Sequence, residues 1–242
     1  MDWETAKTPL IFAHRGASHD EPENTLAAFG LAAAQKADGI ELDVQLSADG
    51  WPVVIHDFTV ERTTNGRGKV AELSLSDLQA LTIEGGEKIP TLDEVFEAFG
   101  PQFVYNIEIK DLSWRNRGLE AAIADRIKAY HLEESVIISS FNPFSLKRFR
   151  NCAPSRIPTA LLRDKGFMRV TSVFNDGEGD NPHFSLVDAS YMRWAAQHAY
   201  KVIVWTVDDP DEALRLKNLG VDGLITNKPG LLRSVLEQGQ VP

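Results

Sequence analysis

A chain of 242 residues with 35 acidic and 25 basic side chains carries a net charge of −10. Such a surface repels phosphate polymers and anionic headgroups, which argues against nucleic acid as a partner and against stable membrane association. With 43% hydrophobic and 25% charged residues, the composition is that of a globular protein with ample core material.

Cys152 is the only cysteine, so no internal disulfide forms. The acidic start Met1-Asp2-Trp3-Glu4 lacks the basic flank and apolar stretch of a signal peptide, and no run of about 18 apolar residues occurs. A cytoplasmic location is the expectation.

In chain order, apolar runs at Leu10–Ala13, Gly39–Val44, Phe103–Ile109, Val136–Ser140, Thr159–Leu162, Phe184–Val187, Val202–Thr206 and Gly223–Thr226 read as strands. Amphipathic stretches separate them. Asn24 is placed to cap a helix over Thr25–Lys36, Thr91 and Glu94 form a capping box, and Asn142-Pro143 and Asp209-Pro210 put Pro at first helical positions. Gly100-Pro101 and Gly220 supply stops. Strand and helix alternating eight times predict an α/β fold, a (β/α)8 TIM barrel forming one domain over residues 1–242.

The run Pro52–Ile55 breaks this rhythm, because it follows the second strand too closely for a parallel crossover. It is predicted to return antiparallel through a hairpin at Ser47-Ala48-Asp49-Gly50. With Ala48 and Asp49 as the two central residues, Val54 lies opposite Asp43 and His56 opposite Glu41. Residues 57–90 then form an insertion off the barrel, with a short helix over Leu73–Leu81.

Catalytic groups of such barrels sit at the carboxyl ends of the strands. Those ends carry His14 and Arg15 on the first strand, Glu41 and Asp43 on the second, His56 on the return strand, and Glu108 and Lys110 on the third. Alternation puts Glu41 and Asp43 on one face, with Glu108 and Lys110 likewise sharing one. Three converging carboxylates suit one divalent cation, Mg²⁺ or Ca²⁺, which would also supply the positive charge that the acidic chain lacks. A structural ion pair between Glu108 and Lys110 is the plainer alternative.

An imidazole, whose unperturbed pKa is ~6.5, can give or take a proton at neutral pH, and His14 and His56 together offer both roles. Arg15 and Lys110 offer charge for a phosphoryl group, and Trp205 and Phe141 offer an apolar wall for a ligand. His19, His131, His183 and His198 are read as solvated.

The ordered set His14-Arg15-Gly16, Pro22-Glu23-Asn24-Thr25, Ala37 to Val44, Val53 to Asp57, Arg62 to Gly66, Asn106 to Lys110, Ser139 to Phe141, Trp205 to Val207 and Asp222 to Pro229 resembles the glycerophosphodiester phosphodiesterase family. The resemblance implies a barrel enzyme that hydrolyses small glycerophosphodiesters to an alcohol and sn-glycerol 3-phosphate. It further implies Glu41, Asp43 and Glu108 as ligands of a divalent cation, His14 and His56 as the acid–base pair, and Arg15 and Lys110 as phosphate holders.

Helix capping accounts for Asn24 without a catalytic role. The stretch Gly166 to His183 and the segment Ala199-Tyr200-Lys201 depart from the family pattern. A lysophospholipase D-like activity and a non-catalytic phosphate-binding barrel are the alternatives.

Overall fold

A computed structural model describes residues 9–111, 113–165 and 175–238. The first eight residues, including the acidic start, and residues 166–174 of the stretch that departs from the family pattern lie outside them. The described elements run β1 (Leu10–His14), α1 (Leu26–Ala34), β2 (Gly39–Leu46), β3 (Pro52–Val54), α2 (Leu75–Ala80), α3 (Leu92–Phe99), β4 (Val104–Ile109), α4 (Leu119–Ala129) and β5 (Val136–Ser140). They continue as α5 (Pro143–Cys152), β6 (Thr159–Arg163), β7 (Gly179–Pro182), α6 (Ala189–Gln197), β8 (Lys201–Val204), α7 (Pro210–Leu219), β9 (Gly223–Thr226) and α8 (Pro229–Gln238).

β1, β2 and β4 to β9 pair in parallel, and the pairings β1 with β2 and β1 with β9 close them into an eight-stranded barrel. This is the (β/α)8 architecture predicted from the alternation. Strand alternation divides the core: Phe12, Val104, Ile137, Ala160, Ile203 and Ile225 fill the barrel, whereas Ile40, Leu42, Val44, Ile107 and Ile109 pack outward among the helices. Gly39 sits where an added Cβ would stand 2.3 Å from the Val104 carbonyl oxygen and 2.6 Å from the Phe12 ring. Gly39→Ala is expected to cost about 3 kcal/mol by overpacking, measurable by urea denaturation.

Helix starts follow the sequence signals. Thr91 and Glu94 close the predicted capping box on α3, and Asn142 and Asp209 cap α5 and α7 ahead of Pro143 and Pro210. At α1 the structure corrects the sequence: Thr25, not Asn24, is the cap, accepting from the Ala28 amide at 3.1 Å. Asn24 itself has φ +57 and turns its side chain elsewhere.

The hairpin is one residue longer than predicted. Val44 pairs with Val54 and Leu46 with Pro52, so Ala48, Asp49 and Gly50 form a three-residue loop. Gly50, at φ +89, supplies the left-handed residue that such a loop needs. β3 therefore ends before His56, which belongs to the segment that follows it.

The sixth barrel strand is Gly179–Pro182, and the predicted strand at Phe184–Val187 is instead a 3₁₀ turn over Phe184–Leu186 just beyond it. The true strand escapes a hydropathy reading because it buries polar side chains. Asp180 is fully buried and pairs with Arg163 of β6 at 2.5 Å.

Candidate active site

β2 serves as the common partner of the strands that carry the predicted residues. Its first half pairs with β1, setting His14 beside Glu41. Its last residues pair with β3 on the edge that β1 leaves free. On the other edge β4 pairs along six residues, setting Asp43 beside Glu108. Beyond β3 the Ile55 amide still donates to the Asp43 carbonyl at 2.9 Å. Gln45 then clamps the next segment, its Nε2 donating to the carbonyl oxygens of Ile55, His56 and Asp57 at 2.9, 3.1 and 2.7 Å.

Glu41, Asp43 and Glu108 are buried, and one oxygen from each lies within 4.8 Å of the others. Arg15 Nε stands 3.1 Å from Asp43 Oδ2, and Lys110 Nζ stands 2.8 Å from Glu108 Oε1 and 3.5 Å from Asp43 Oδ1. Asn24 donates to Asp43 Oδ2 at 2.9 Å. Three carboxylates against two cations leave one negative charge over.

The imbalance appears in the proton affinities. Burial, with Asp43 and Glu108 adding repulsion, holds the Glu41 carboxyl well above the usual range. Burial and then Asp43 raise Glu108 to about 7. Burial also works to raise Asp43, but Arg15, Lys110 and His56 outweigh it and the net shift is downward. Asp43 Oδ1 is buried and accepts no hydrogen bond among the described residues. An orphaned carboxylate oxygen within a cluster of hard oxygen donors is what a divalent cation fits.

Each histidine has one ring nitrogen tied to a fixed acceptor. His14 Nδ1 meets Asn227 Oδ1 at 2.7 Å, while Asn227 Nδ2 donates to Asp208 at 2.5 Å, so the amide oxygen faces the ring. Nδ1 therefore carries the hydrogen and Nε2, 3.9 Å from Glu41 Oε2, keeps its lone pair. Burial, with Arg15 adding to it, lowers the His14 pKa.

His56 Nδ1 meets Asp57 Oδ1 at 2.6 Å. Hydrogen bonds from Arg62 hold Asp57 at about 2. Arg62 also grips Glu23 at 2.7 and 2.9 Å, and Glu23 in turn accepts from Arg15 at 3.0 Å. One guanidinium thus links the support of His56 to the support of Arg15.

A cavity of about 180 Å³ has His14, His56, Glu41 and Glu108 among its lining residues, with Phe141 and Trp205 also on its wall. The two aromatic rings meet edge to face at 5.6 Å, and Trp205 Nε1 donates to the Asn181 carbonyl at 2.7 Å. A larger cavity of about 510 Å³ opens at the opposite end, where β5 to β8 begin, away from these groups.

The model of the glycerophosphoryl diester phosphodiesterase family matches residues 14–231. The chain belongs to this family. It is 40% identical over 240 residues to a glycerophosphodiester phosphodiesterase of Caldanaerobacter subterraneus subsp. tengcongensis, a match spanning 95% of this chain and 98% of that protein. A Bacillus subtilis glycerophosphodiester phosphodiesterase is 31% identical over 252 residues, or 93% and 86% of the two chains.

Among solved structures, an Oleispira antarctica phosphodiesterase in complex with the product sn-glycerol-3-phosphate superposes with a TM-score of 0.83 at 31% identity, covering 95% of this chain and 97% of that one. A glycerophosphodiester phosphodiesterase of Agrobacterium tumefaciens gives a TM-score of 0.82 at 27% identity, covering 94% and 100%.

Set among these phosphodiesterases, the structure brings His14, Arg15, Glu41, His56, Glu108, Phe141 and Trp205 around one cavity, with Asp43 and Lys110 in contact with its carboxylates. Glu23, Asn24, Asp57 and Asn227 also contact these groups, Arg62 holds Asp57, and Asn106 and Ser139 line the cavity, none of them marked out by a strand-end position. Asn106 was within reach of the alternation rule, two residues before Glu108 on the same face. It lines the cavity with both amide atoms lacking a hydrogen-bond partner among the described residues. His183, read as solvated, packs its ring 5.3 Å from Trp205.

Among the described residues no helix is long and apolar enough to cross a membrane.

Proposed function

We propose that the chain hydrolyses glycerophosphodiesters to an alcohol and sn-glycerol 3-phosphate, with Glu41, Asp43 and Glu108 holding one divalent cation. The observation that carries this reading is the pair of imidazoles, each with Nδ1 engaged, lining the cavity that holds buried carboxylates. Family membership and the product bound to the Oleispira enzyme support the same substrate class.

In this reading Arg15 and Lys110 hold phosphate oxygens, the first as a planar fork and the second as a point charge. His14 Nε2, left unprotonated by its bond to Asn227, takes the proton of the attacking glycerol hydroxyl. His56 donates a proton to the departing alkoxide, giving a cyclic phosphate and the free alcohol. Water then opens the ring with the two histidines exchanging roles. When bound, the cation lowers the pKa of the hydroxyl and offsets charge that builds on phosphorus. Phe141 and Trp205 form the apolar wall against the glycerol carbons.

Release of sn-glycerol 3-phosphate from choline, ethanolamine, glycerol and inositol diesters, with and without Mg²⁺ or Ca²⁺, tests the proposal. Absence of release from all four with either ion present would overturn it.

Arg62 supplies a further expected result. Arg62→Ala frees both Asp57 and Glu23, so kcat falls and KM rises together, with kcat/KM down about 10²-fold. Arg62→Lys restores part of the loss, because an ammonium cannot grip both carboxylates as a fork does. Arg62 is 48% exposed, so the melting temperature barely moves. Unchanged kinetics in Arg62→Ala would separate this network from turnover.

A further inference from the structure

A second cavity, of about 270 Å³, borders the residues just described. Lys110, whose ammonium reaches Glu108 and Asp43, lines it. Gln45, which clamps the carbonyls of His56 and Asp57, lines it too, and Phe58, next in the same segment, forms part of its wall. The cavity therefore shares one boundary with the carboxylate cluster and another with the segment that carries His56.

The first cavity, at about 180 Å³, is smaller than the ~300 Å³ at which pockets begin to enclose a drug-sized ligand. A glycerophosphoryl group would fill most of it. The alcohol on the other side of phosphorus has to lie beyond it, near the histidine that protonates its oxygen.

The charge around the second cavity opposes that of the chain. Lys69, Lys110 and Arg117 line it in a protein of net charge −10. Arg117 is exposed and makes no ion pair among the described residues. The partner of Lys69 is Glu72, at 2.8 Å with both side chains 65% exposed, a pair that water weakens. Asp111, the one acid lining the cavity among the described residues, is buried and engaged by Arg148 at 3.3 Å.

We propose that this cavity receives the leaving alcohol and that Lys69 and Arg117 select alcohols bearing an anionic group. The inference rests on the diesterase reading above and adds the class of leaving group to it. Phe58 and the stem of Lys110 cover the carbon part of the alcohol, and the two outer cations face its charge.

The test compares kcat/KM for sn-glycero-3-phosphoserine and sn-glycero-3-phosphoethanolamine, which differ by a single carboxylate. A second arm compares sn-glycero-3-phosphoglycerol with its terminal phosphate monoester. Both arms use the whole protein with Mg²⁺ at low and high salt.

The anionic member of each pair is expected to be preferred roughly fivefold at low salt, an effect sized for exposed charges and screened as salt rises. In Lys69→Glu/Arg117→Glu the preference inverts. Both positions are exposed, so the double variant folds. Ratios within twofold of one in the wild type, or ratios unchanged in the double variant, would overturn the inference while leaving the diesterase reading standing. Hydrolysis of none of the four diesters would overturn both.

Discussion

His14→Gln and His56→Gln are each expected to lower kcat by about 10²–10⁴-fold, the contribution of a positioned acid or base. Neither change is expected to disturb the fold. Asn227, the partner of His14, keeps its bonds to Ser18 and Asp208, and His56 is 30% exposed on a segment fixed by Gln45 through its backbone. Melting temperatures near that of the wild type would establish this.

The two variants separate on a diester with a good leaving group, such as the p-nitrophenyl ester of glycerol phosphate. A nitrophenolate departs without a proton, so in a single turnover His56→Gln regains most of its rate of nitrophenolate release while His14→Gln does not. A near-wild-type rate for either variant on an alkyl diester would remove that histidine from the reaction.

Chelation is expected to remove activity by ~10³-fold or more, the order that follows when several kcal/mol of charge stabilisation are lost, and Mg²⁺ or Ca²⁺ to restore it. The same cation leaves a thermodynamic trace. In the ion-free protein Glu108 titrates at about 7 and Glu41 well above the ordinary 4.5, so between those limits the folded state binds more protons than the unfolded chain. Stability then falls as pH rises through this window. The penalty is absent below about 4.5 and complete only above about 7.

A bound cation relieves it by favouring the ionised carboxylates. The rise in melting temperature on adding Mg²⁺ to chelator-treated protein is therefore larger at pH 7.5 than at pH 5, as calorimetry would show. An equal rise at both values, or full activity in excess chelator, would contradict an ion held by Glu41, Asp43 and Glu108.

Where the sequence was readable, two requirements agreed. On β2 the residues Ile40, Leu42 and Val44 had to face the helices, and that placed Glu41 and Asp43 inside the barrel. At α3, α5 and α7 the cap and the following residues left a single choice of start.

Reading failed where a polar residue had two available partners. Asn24 and Thr25 are both good caps, and composition does not tell which one turns back to Asp43. β7 was missed because its outward side is sealed by Asp180 with Arg163 and Tyr191, a polar closure that hydropathy does not register. The hairpin register depended on whether Gly50 was inside the loop, a matter of backbone dihedral and not of side-chain pattern. Asp57 and Arg62 lie beside or near His56 in sequence, but their link to Glu23 exists only once the segment after β3 folds against the loop after β1.

The bond between His14 and Asn227 joins residues 213 positions apart. The three acids clustered beside that imidazole all lie between positions 41 and 108. As the chain leaves the ribosome, the acids can meet while the residue that aims His14 has not yet been synthesised. The residue that orients His14 therefore reaches it only when β9 pairs with β1 and closes the barrel.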